Sequence, residues 1–206
     1  MLHRQTVSPE LLELLTAVSS VPEFSELRLV GGTSLALQIG HRNSTDIDLF
    51  GELTLHDKEL NMILNNIGSV EQVLSTKSIK TYIVNGIKTD IVNYPYKWLE
   101  PPVREDGFTL ASKADIAAMK IAAVAQRGSK KDFIDLYFLL EDFSMEQIFE
   151  FFEKKITDSS PWMALRSLLY FIDAEKMPMP LMYKNVSWVE IKERIIRETR
   201  NYQQSI

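Results

Sequence analysis

Two aspartates separated by a single residue, Asp46 and Asp48, are the side chains in this sequence best suited to chemistry. Polar and apolar residues alternate from Asp46 to Phe50, which predicts a strand, and residues i and i+2 of a strand point to the same face. Two carboxylates side by side repel each other, and a divalent cation between them removes the repulsion. Carboxylate oxygens suit Mg²⁺ or Mn²⁺, so the pair predicts a metal site.

A third carboxylate, Asp90, lies among apolar residues, where a charge without a partner would be costly. Two β-rich segments flank Asn85-Gly86, which predicts a two-residue hairpin with Asp90 in its second strand. If that strand lies beside the D-x-D strand, the three aspartates form a site for two metal ions, which activate a hydroxyl and stabilise a departing pyrophosphate. The alternative is that D-x-D marks only a solvated strand edge, because short motifs often occur by chance.

The turn Gly31-Gly32-Thr33-Ser34 lies between an apolar run, 27–30, and a helical segment. Glycines there let a phosphate approach the backbone, and the following helix N-terminus offers N–H groups and positive partial charge. The hydroxyls of Thr33 and Ser34 could add hydrogen bonds. The alternative is a tight turn that merely uses glycine. No Gly-Lys-Ser/Thr follows, so this is not a Walker A loop.

Arg42 precedes the D-x-D strand and could pair with Asp46 or contact a phosphate. Loop side chains are mostly solvated, which favours a structural or orienting role for Arg42.

The elements around these residues predict a mixed α/β N-terminal half and an all-helical C-terminal half. Ser8 and Pro9 mark the start of a first helix. Pro95, Pro101 and Pro102 punctuate a linker over about 93–108. Strands are predicted at 27–30, 46–50, 70–74, 79–84 and 87–92, and further helices at 33–39, 57–67, 113–126, 131–143, 144–155, 162–173 and 188–202.

The order of strand, Gly-Gly, helix, D-x-D strand and later Asp resembles the nucleotidyltransferase superfamily of DNA polymerase β. The string from Leu29 to Phe50, LVGGTSLALQIGHRNSTDIDLF, closely resembles one branch, the AbiEii toxin family, which includes the MenT toxins. The resemblance extends over about 27–140. It implies an α+β nucleotidyltransferase fold: a core domain over 1–105, with a small mixed or antiparallel sheet and flanking helices, then a C-terminal helical bundle over 106–206 that completes the active-site cleft.

The resemblance also implies roles for individual residues. Asp46 and Asp48 would bind the metal ions, and Gly31, Gly32 and Thr33 would bind the triphosphate of an NTP substrate.

Two charged residues of the C-terminal half are further candidates. Lys120 lies beside an apolar helix stripe, where a lysine often extends its amine to solvent, but it could also aim a cation at a triphosphate. The segment after Asp132 is apolar nearly all round, so its helix is predicted to be buried, and Asp132 and Asp135 then need partners. Lys120 or Arg127 could pair with Asp132, and Asp135 could cap a neighbouring backbone or pair with an Arg.

This part resembles the family's later motif, a Lys-containing helix followed by Arg-x-x-x-Arg-Asp-x-x-Asp-Leu. The resemblance implies that Lys120 contacts the nucleotide and that Asp132 is needed for activity. Lys131 stands in place of the second arginine and cannot make the same bidentate contacts.

The composition of the 206 residues bounds the functions that remain. The absence of cysteine excludes disulfides and thiolate metal sites, and a cytoplasmic location without membrane contact is expected. A net charge of −5 argues against indiscriminate nucleic-acid binding. The stretch 113–131 carries five Lys or Arg against one acid, a local charge of +4, and is compatible with an RNA acceptor.

The sequence therefore predicts a metal-dependent nucleotidyltransferase that moves NMP from an NTP to an acceptor. The resemblance implies a tRNA or other RNA acceptor, a toxin role and a cognate antitoxin partner, while a protein hydroxyl or a small molecule stays open. One alternative is a catalytically silent nucleotide- or partner-binding module, against which the retention of both D-x-D aspartates counts. Another is a metal-dependent phosphohydrolase.

Overall fold

A computed structural model describes residues 1–205 of the chain. Ile206, the last residue of the predicted helical domain, lies outside the described residues. The chain forms two compact units. The first unit contains Met1–Pro95 and Pro102–Ala111, and the second contains Tyr96–Pro101 and the chain from Ser112 onward.

The first unit is built on a seven-stranded sheet. Its strands are β1 Arg28–Leu29, β2 Ile47–Gly51, β3 Val70–Ser75, β4 Ile79–Val84, β5 Ile87–Asn93, β6 Val103–Glu105 and β7 Phe108–Leu110. They lie in the order β3-β4-β5-β2-β1-β7-β6, with β2–β5 and β1–β7 parallel and the other pairs antiparallel. The expected α+β class and mixed sheet are confirmed.

Two hairpins of the sheet are joined by the same kind of turn. β4 and β5 meet at Asn85 and Gly86, whose φ angles are 50° and 81°, which confirms the predicted hairpin. β6 and β7 meet at Asp106 and Gly107, with φ angles of 55° and 84°, inside the segment predicted as a linker. Asp-Gly favours such turns as Asn-Gly does. The signal for this hairpin was therefore present in the sequence, but its two short strands were not predicted. The predicted domain boundary, between residues 105 and 106, falls inside this second hairpin.

Three helices accompany the sheet: α1 Pro9–Ser19, α2 Gly31–Ile39 and α3 Asp57–Ile67. The Ser8 side chain caps α1 by accepting from the backbone N–H of Leu11, as its position predicts. Helix α2 begins at Gly31 and not at residue 33, so both glycines form its first turn. Buried side chains from the helices and both halves of the sheet form one core, including Leu15, Leu29, Ile47, Leu64 and Ile91.

The second unit is helical. Its helices are α4 Lys113–Gln126, α5 Lys130–Leu139, α6 Met145–Lys155, α7 Pro161–Ser167, α8 Ile172–Glu175 and α9 Trp188–Ser205. The segment predicted as a single helix over 162–173 instead forms two helices, α7 and α8. The break was not predicted because the apolar residues continue across it, and periodicity alone does not reveal it. In residues 1–205, the structure contains no helix with the length and apolar character needed to cross a bilayer.

A buried ion pair ties the extended segment 96–101 to the helices of this unit. Asp115, in the first turn of α4, accepts hydrogen bonds from the backbone N–H groups of Leu99 (2.9 Å) and Glu100 (3.3 Å). It also forms an ion pair with the Lys155 ammonium at 2.7 Å. This ammonium lies 4.3 Å from the centre of the Trp98 ring. Both charges are fully buried, so each depends on the other for its stability.

Candidate active site

The D-x-D pair lies at the start of β2, in the middle of the sheet. Ile47 and Leu49 point into the core, whereas Asp48 is half-buried on the other face, as strand alternation predicts. Asp46 immediately precedes the strand and is also half-buried. Strand β5 runs parallel to β2 and places Asp90 directly opposite Asp48. The condition set for a three-aspartate site, that the hairpin strand lies beside the D-x-D strand, is met.

Gly31 brings the first turn of α2 against the Asp48 carboxylate. A Cβ atom at this position would lie 2.5 Å from Asp48 Oδ2, and Gly31 has a φ of 68°, which disfavours any other residue. The backbone N–H of Val30 also donates to the Asp48 carbonyl at 2.9 Å. The glycine therefore permits a close approach between a helix N-terminus and an acidic side chain.

Gly31→Ala should destabilise the first unit by about 2–3 kcal/mol, since positive φ and the Asp48 contact both act against it. The matched control is Gly86→Ala, because Gly86 has a φ of 81° but nothing within 4 Å of its added Cβ. Gly86→Ala should lower the free energy of unfolding by about 1 kcal/mol, from backbone conformation alone. Urea unfolding of the two variants measures the difference, and equal losses would contradict a close approach of Gly31 to Asp48.

The next residues of α2 hold the loop that carries Asp46. Gly32 packs against the guanidinium of Arg42, a side chain that is 1% exposed, and Arg42 donates to the Asn43 carbonyl at 2.8 Å. The Thr33 hydroxyl is hydrogen-bonded to the Ser44 hydroxyl at 2.9 Å and donates to the Asp46 carbonyl. Arg42 and Thr33 therefore support the loop from within, which agrees with the structural role favoured for Arg42.

Ser34 is also buried, and its hydroxyl accepts from the Gln38 amide at 3.1 Å. The hydroxyls of Thr33 and Ser34 thus have partners inside the protein. Among the groups of this turn, the backbone N–H groups at the start of α2 are better suited to receive an anion.

Asp90 has a cationic partner on its own strand. Lys88 Nζ lies 2.5 Å from Asp90 Oδ2, and the Asp90 side chain is 17% exposed. The other carboxylate oxygen, Oδ1, is buried and has no hydrogen-bond partner among the described residues. A buried acceptor without a protein partner is compatible with an ion or a water bound there.

The charges of all three carboxylates affect the pKa of Lys88. Partial burial alone would lower the pKa of Lys88, but the hydrogen bond to Asp90 and the charges of Asp90, Asp48 and Asp46 outweigh it and raise that pKa. Within residues 1–205, no group of three or more acidic or histidine side chains has the arrangement of a metal site. In this structure, Lys88 supplies the positive charge beside Asp90.

The second unit contains a separate charged network around Asp132. The ammonium of Lys120, which is 4% exposed, lies 3.0 Å from Asp132 and 2.6 Å from Asp135. Asp132 also accepts from Arg127 at 2.9 and 3.0 Å and from the Ser129 hydroxyl at 2.7 Å. Lys120 and Arg127 were alternative partners for Asp132 in the sequence analysis, and the structure shows both. Asp135 pairs with the same lysine, a partner that was not proposed for it from the sequence.

This network keeps Asp132 ionised. Burial would raise the pKa of Asp132, but the Lys120 charge, the hydrogen bond from Arg127 and the Arg127 charge together hold it well below its usual range. The Lys120 ammonium is enclosed by the two carboxylates, so it does not extend to solvent.

Two of the five basic residues in the stretch 113–131, Lys120 and Lys130, are buried. Lys113 pairs with Asp142, and Lys130 lies 5.0 Å from the Trp188 ring centre. Arg127 has a side chain that is 67% exposed and borders a surface depression of about 400 Å³, which Arg166 also lines.

Two residues that position this chemistry were missed from the sequence, Lys88 and Ser44. Lys88 stands two residues before Asp90 on one strand, and residues at that spacing share a face, so the signal was present. Ser44 offers no such pattern, because its partner Thr33 becomes adjacent only through the fold.

Comparisons with known proteins give the family and the fold of the chain. The model of a family described as nucleotidyl transferase AbiEii toxin, type IV TA system, matches residues 13–204. An uncharacterized protein of Aquifex aeolicus is 31% identical over 198 residues, which cover 92% of this chain and 94% of that protein.

Two solved structures resemble the chain at the level of fold. JHP933 from Helicobacter pylori superposes with a TM-score of 0.58 at 15% identity, over 97% of this chain and 96% of its own. The nucleotidyltransferase toxin MenT4 from Mycobacterium tuberculosis gives a TM-score of 0.55 at 15% identity, over 91% of this chain and 79% of its own.

Proposed function

The chain belongs to the AbiEii family of nucleotidyltransferase toxins, and from that premise we propose that it transfers NMP from an NTP to an acceptor in a metal-dependent reaction at Asp46, Asp48 and Asp90. The observation that carries the proposal is the direct pairing of Asp48 with Asp90 on parallel strands, beside the N-terminus of α2 at Gly31.

The chemistry of the residues at this place suits a divalent cation, although the described side chains do not converge on one position as three metal ligands would. They offer carboxylate oxygens, which are the ligands that Mg²⁺ and Mn²⁺ prefer. Asp90 also has the buried oxygen atom without a partner. Asp46, Asp48 and Asp90 would hold the ions. Bound there, a metal ion would favour loss of the proton from the acceptor hydroxyl and neutralise charge on the leaving pyrophosphate.

The triphosphate is proposed to lie at the first turn of α2. The backbone N–H groups of a helix N-terminus attract phosphate oxygens. Gly31 and Gly32 let Asp48 and Arg42 approach this turn closely. Thr33, Ser34 and Arg42 contribute by holding the turn and the Asp46 loop in place, since their polar groups contact neighbouring protein atoms.

In the second unit, Lys120 and Asp132 are proposed to be needed for activity as positioning residues. Lys120 is enclosed between two carboxylates, and Asp132 holds the guanidinium of Arg127 through two hydrogen bonds. This arrangement fixes the direction of an arginine whose side chain is 67% exposed, and we propose that it faces an anionic substrate.

The acceptor is proposed to be an RNA, with tRNA as the first candidate, and the partner to be an antitoxin, as expected for a toxin of a two-component system. RNA phosphates suit the depression that Arg127 and Arg166 line in the second unit. The net charge of −5 predicts that binding depends on this local surface and weakens steeply with salt.

Incubation of the full chain with each α-³²P-labelled NTP, Mg²⁺ and total tRNA tests the proposal. We expect label in RNA and release of pyrophosphate in equal amounts. Label on protein or on a small molecule would support the proposed transferase activity but show that the acceptor is not RNA. Release of free phosphate would favour a phosphohydrolase, and no product from any NTP would contradict the proposed reaction.

A further inference from the structure

The side chain of Lys88 lies beside one of the three carboxylates of the proposed site. It forms an ion pair with Asp90, and its own side chain is 47% exposed. Asp90 in turn lies opposite Asp48 in the register of β2 and β5. One ammonium therefore stands at the acidic edge where the proposed function requires a divalent cation.

An ordinary surface ion pair does not account for this arrangement. Lys80 and Asp57 form such a pair in the same unit, at 2.5 Å, with one carboxylate facing one amine. Lys88 differs because its partner Asp90 lies opposite a second carboxylate, Asp48, in the strand register, and because the second oxygen of Asp90 stays buried without a partner among the described residues. A monovalent ammonium thus compensates the cluster only in part.

We propose that Lys88 is the built-in counterion of the metal site: its ammonium holds Asp90 in place in the metal-free protein and competes with the divalent cation for the same carboxylates. This inference rests on the proposed function, because it assumes that the carboxylates bind metal. Metal binding then requires the ammonium to withdraw from Asp90, and the half-exposed side chain of Lys88 has solvent to withdraw into.

The competition has a direct consequence for affinity. An ammonium paired with Asp90 lowers the attraction of this carboxylate for a second cation, since like charges repel over such distances. Removing the charge should tighten divalent metal binding about tenfold, given the partial exposure of the pair. A replacement that keeps the charge should leave the affinity near that of the wild type.

The test is calorimetric titration of Mn²⁺ into the nucleotide-free full chain for wild type, Lys88→Gln, Lys88→Arg and the matched control Lys80→Gln. We expect Lys88→Gln to bind Mn²⁺ about tenfold more tightly, and the other two variants to stay within about twofold of wild type. Melting curves provide a second readout. In EDTA, Lys88→Gln should melt below wild type, and saturating Mn²⁺ should raise its Tm by more than it raises the wild-type Tm.

The outcomes separate this inference from the proposed function. Unchanged or weaker Mn²⁺ binding in Lys88→Gln, with binding still lost in Asp48→Asn, would overturn the role of Lys88 and leave the metal site standing. Tighter binding in Lys80→Gln as well would overturn it too, because the effect would then follow net charge alone. Absence of Mn²⁺ binding in every variant would overturn both the metal site and the inference.

Discussion

Replacing Asp48 with Asn should lower nucleotidyl transfer by roughly 1000-fold or more, because the amide keeps the shape of the side chain and removes the charge that binds metal. The fold should be retained. Asp48 lies near Asp90 and half-exposed, so loss of one negative charge relieves repulsion and leaves the free energy of unfolding unchanged or slightly higher. Transfer of ³²P to RNA and urea unfolding in EDTA measure the two quantities.

Asp46→Asn should behave in the same way. The contact that Thr33 makes to this residue uses the Asp46 carbonyl, which the substitution does not change. The matched control is Asp57→Asn, since Asp57 is an acidic residue of the same unit that is paired with a lysine, as Asp90 is. It should keep full transfer activity.

Three results would count against this account. Equal label transfer by wild type and Asp48→Asn would show that the D-x-D pair does not bind a catalytic metal ion. A large fall in the stability of Asp48→Asn would indicate that the carboxylate is structural. Absence of label transfer by the wild type as well would favour the alternative function, a nucleotide- or partner-binding protein with the same fold and no catalytic activity.

The parts of the site that sequence reasoning predicted are those encoded by local patterns. Alternation predicted the β2 strand and the side-by-side aspartates, and Asn85-Gly86 predicted the hairpin that carries Asp90. The same turn rule applies to Asp106-Gly107, but the neighbouring prolines directed attention to a linker, and a three-residue strand is too short to show alternation. Short strands depend on the sheet that receives them more than on their own sequence.

Interactions at longer range could not be predicted in the same way. The glycines of α2 were interpreted as space for a phosphate, whereas in the structure their missing side chains face Asp48 and Arg42. Both interpretations require glycine, so the residue type does not distinguish them. Lys120 beside an apolar stripe is equally compatible with a solvated amine and with a buried ion pair, and only the position of α5 decides between them.

The burial of Lys120 leads to the second large effect. Lys120→Met should destabilise the protein by about 3–5 kcal/mol, because it leaves two fully buried carboxylates, Asp132 and Asp135, without their shared cation. Lys113→Met is the matched control on the same helix. Lys113 pairs with Asp142 at the surface, where both side chains are more than a third exposed, so its loss should stay below about 1 kcal/mol. Urea unfolding at pH 7 compares the two.

Adding Asp135→Asn to Lys120→Met should restore part of the lost stability. The second substitution removes one of the two buried negative charges, while Asp132 keeps its hydrogen bonds from Arg127 and Ser129. The double variant should therefore be more stable than the single one, which an additive pair of losses would not produce. If Lys120→Met costs no more than Lys113→Met, or if the double variant is the least stable, the network does not hold the unit together.

The same network predicts how stability changes with pH. The folded protein holds the pKa of Asp132 below the value near 4 that an unfolded aspartate has. The stabilisation is therefore complete above about pH 4 and is lost as the pH falls toward the folded pKa, because the unfolded chain takes up a proton that the folded protein resists. Without Lys120 the pKa of Asp132 is lowered less, so Asp132 of folded Lys120→Met takes up its proton at a higher pH than Asp132 of the folded wild type. The difference in unfolding free energy between the two proteins should therefore narrow once the pH falls below the folded pKa of Asp132 in the variant. A difference that stays constant over the whole acidic range in which both proteins remain folded would mean that Lys120 stabilises the helices through its packing and not through its charge.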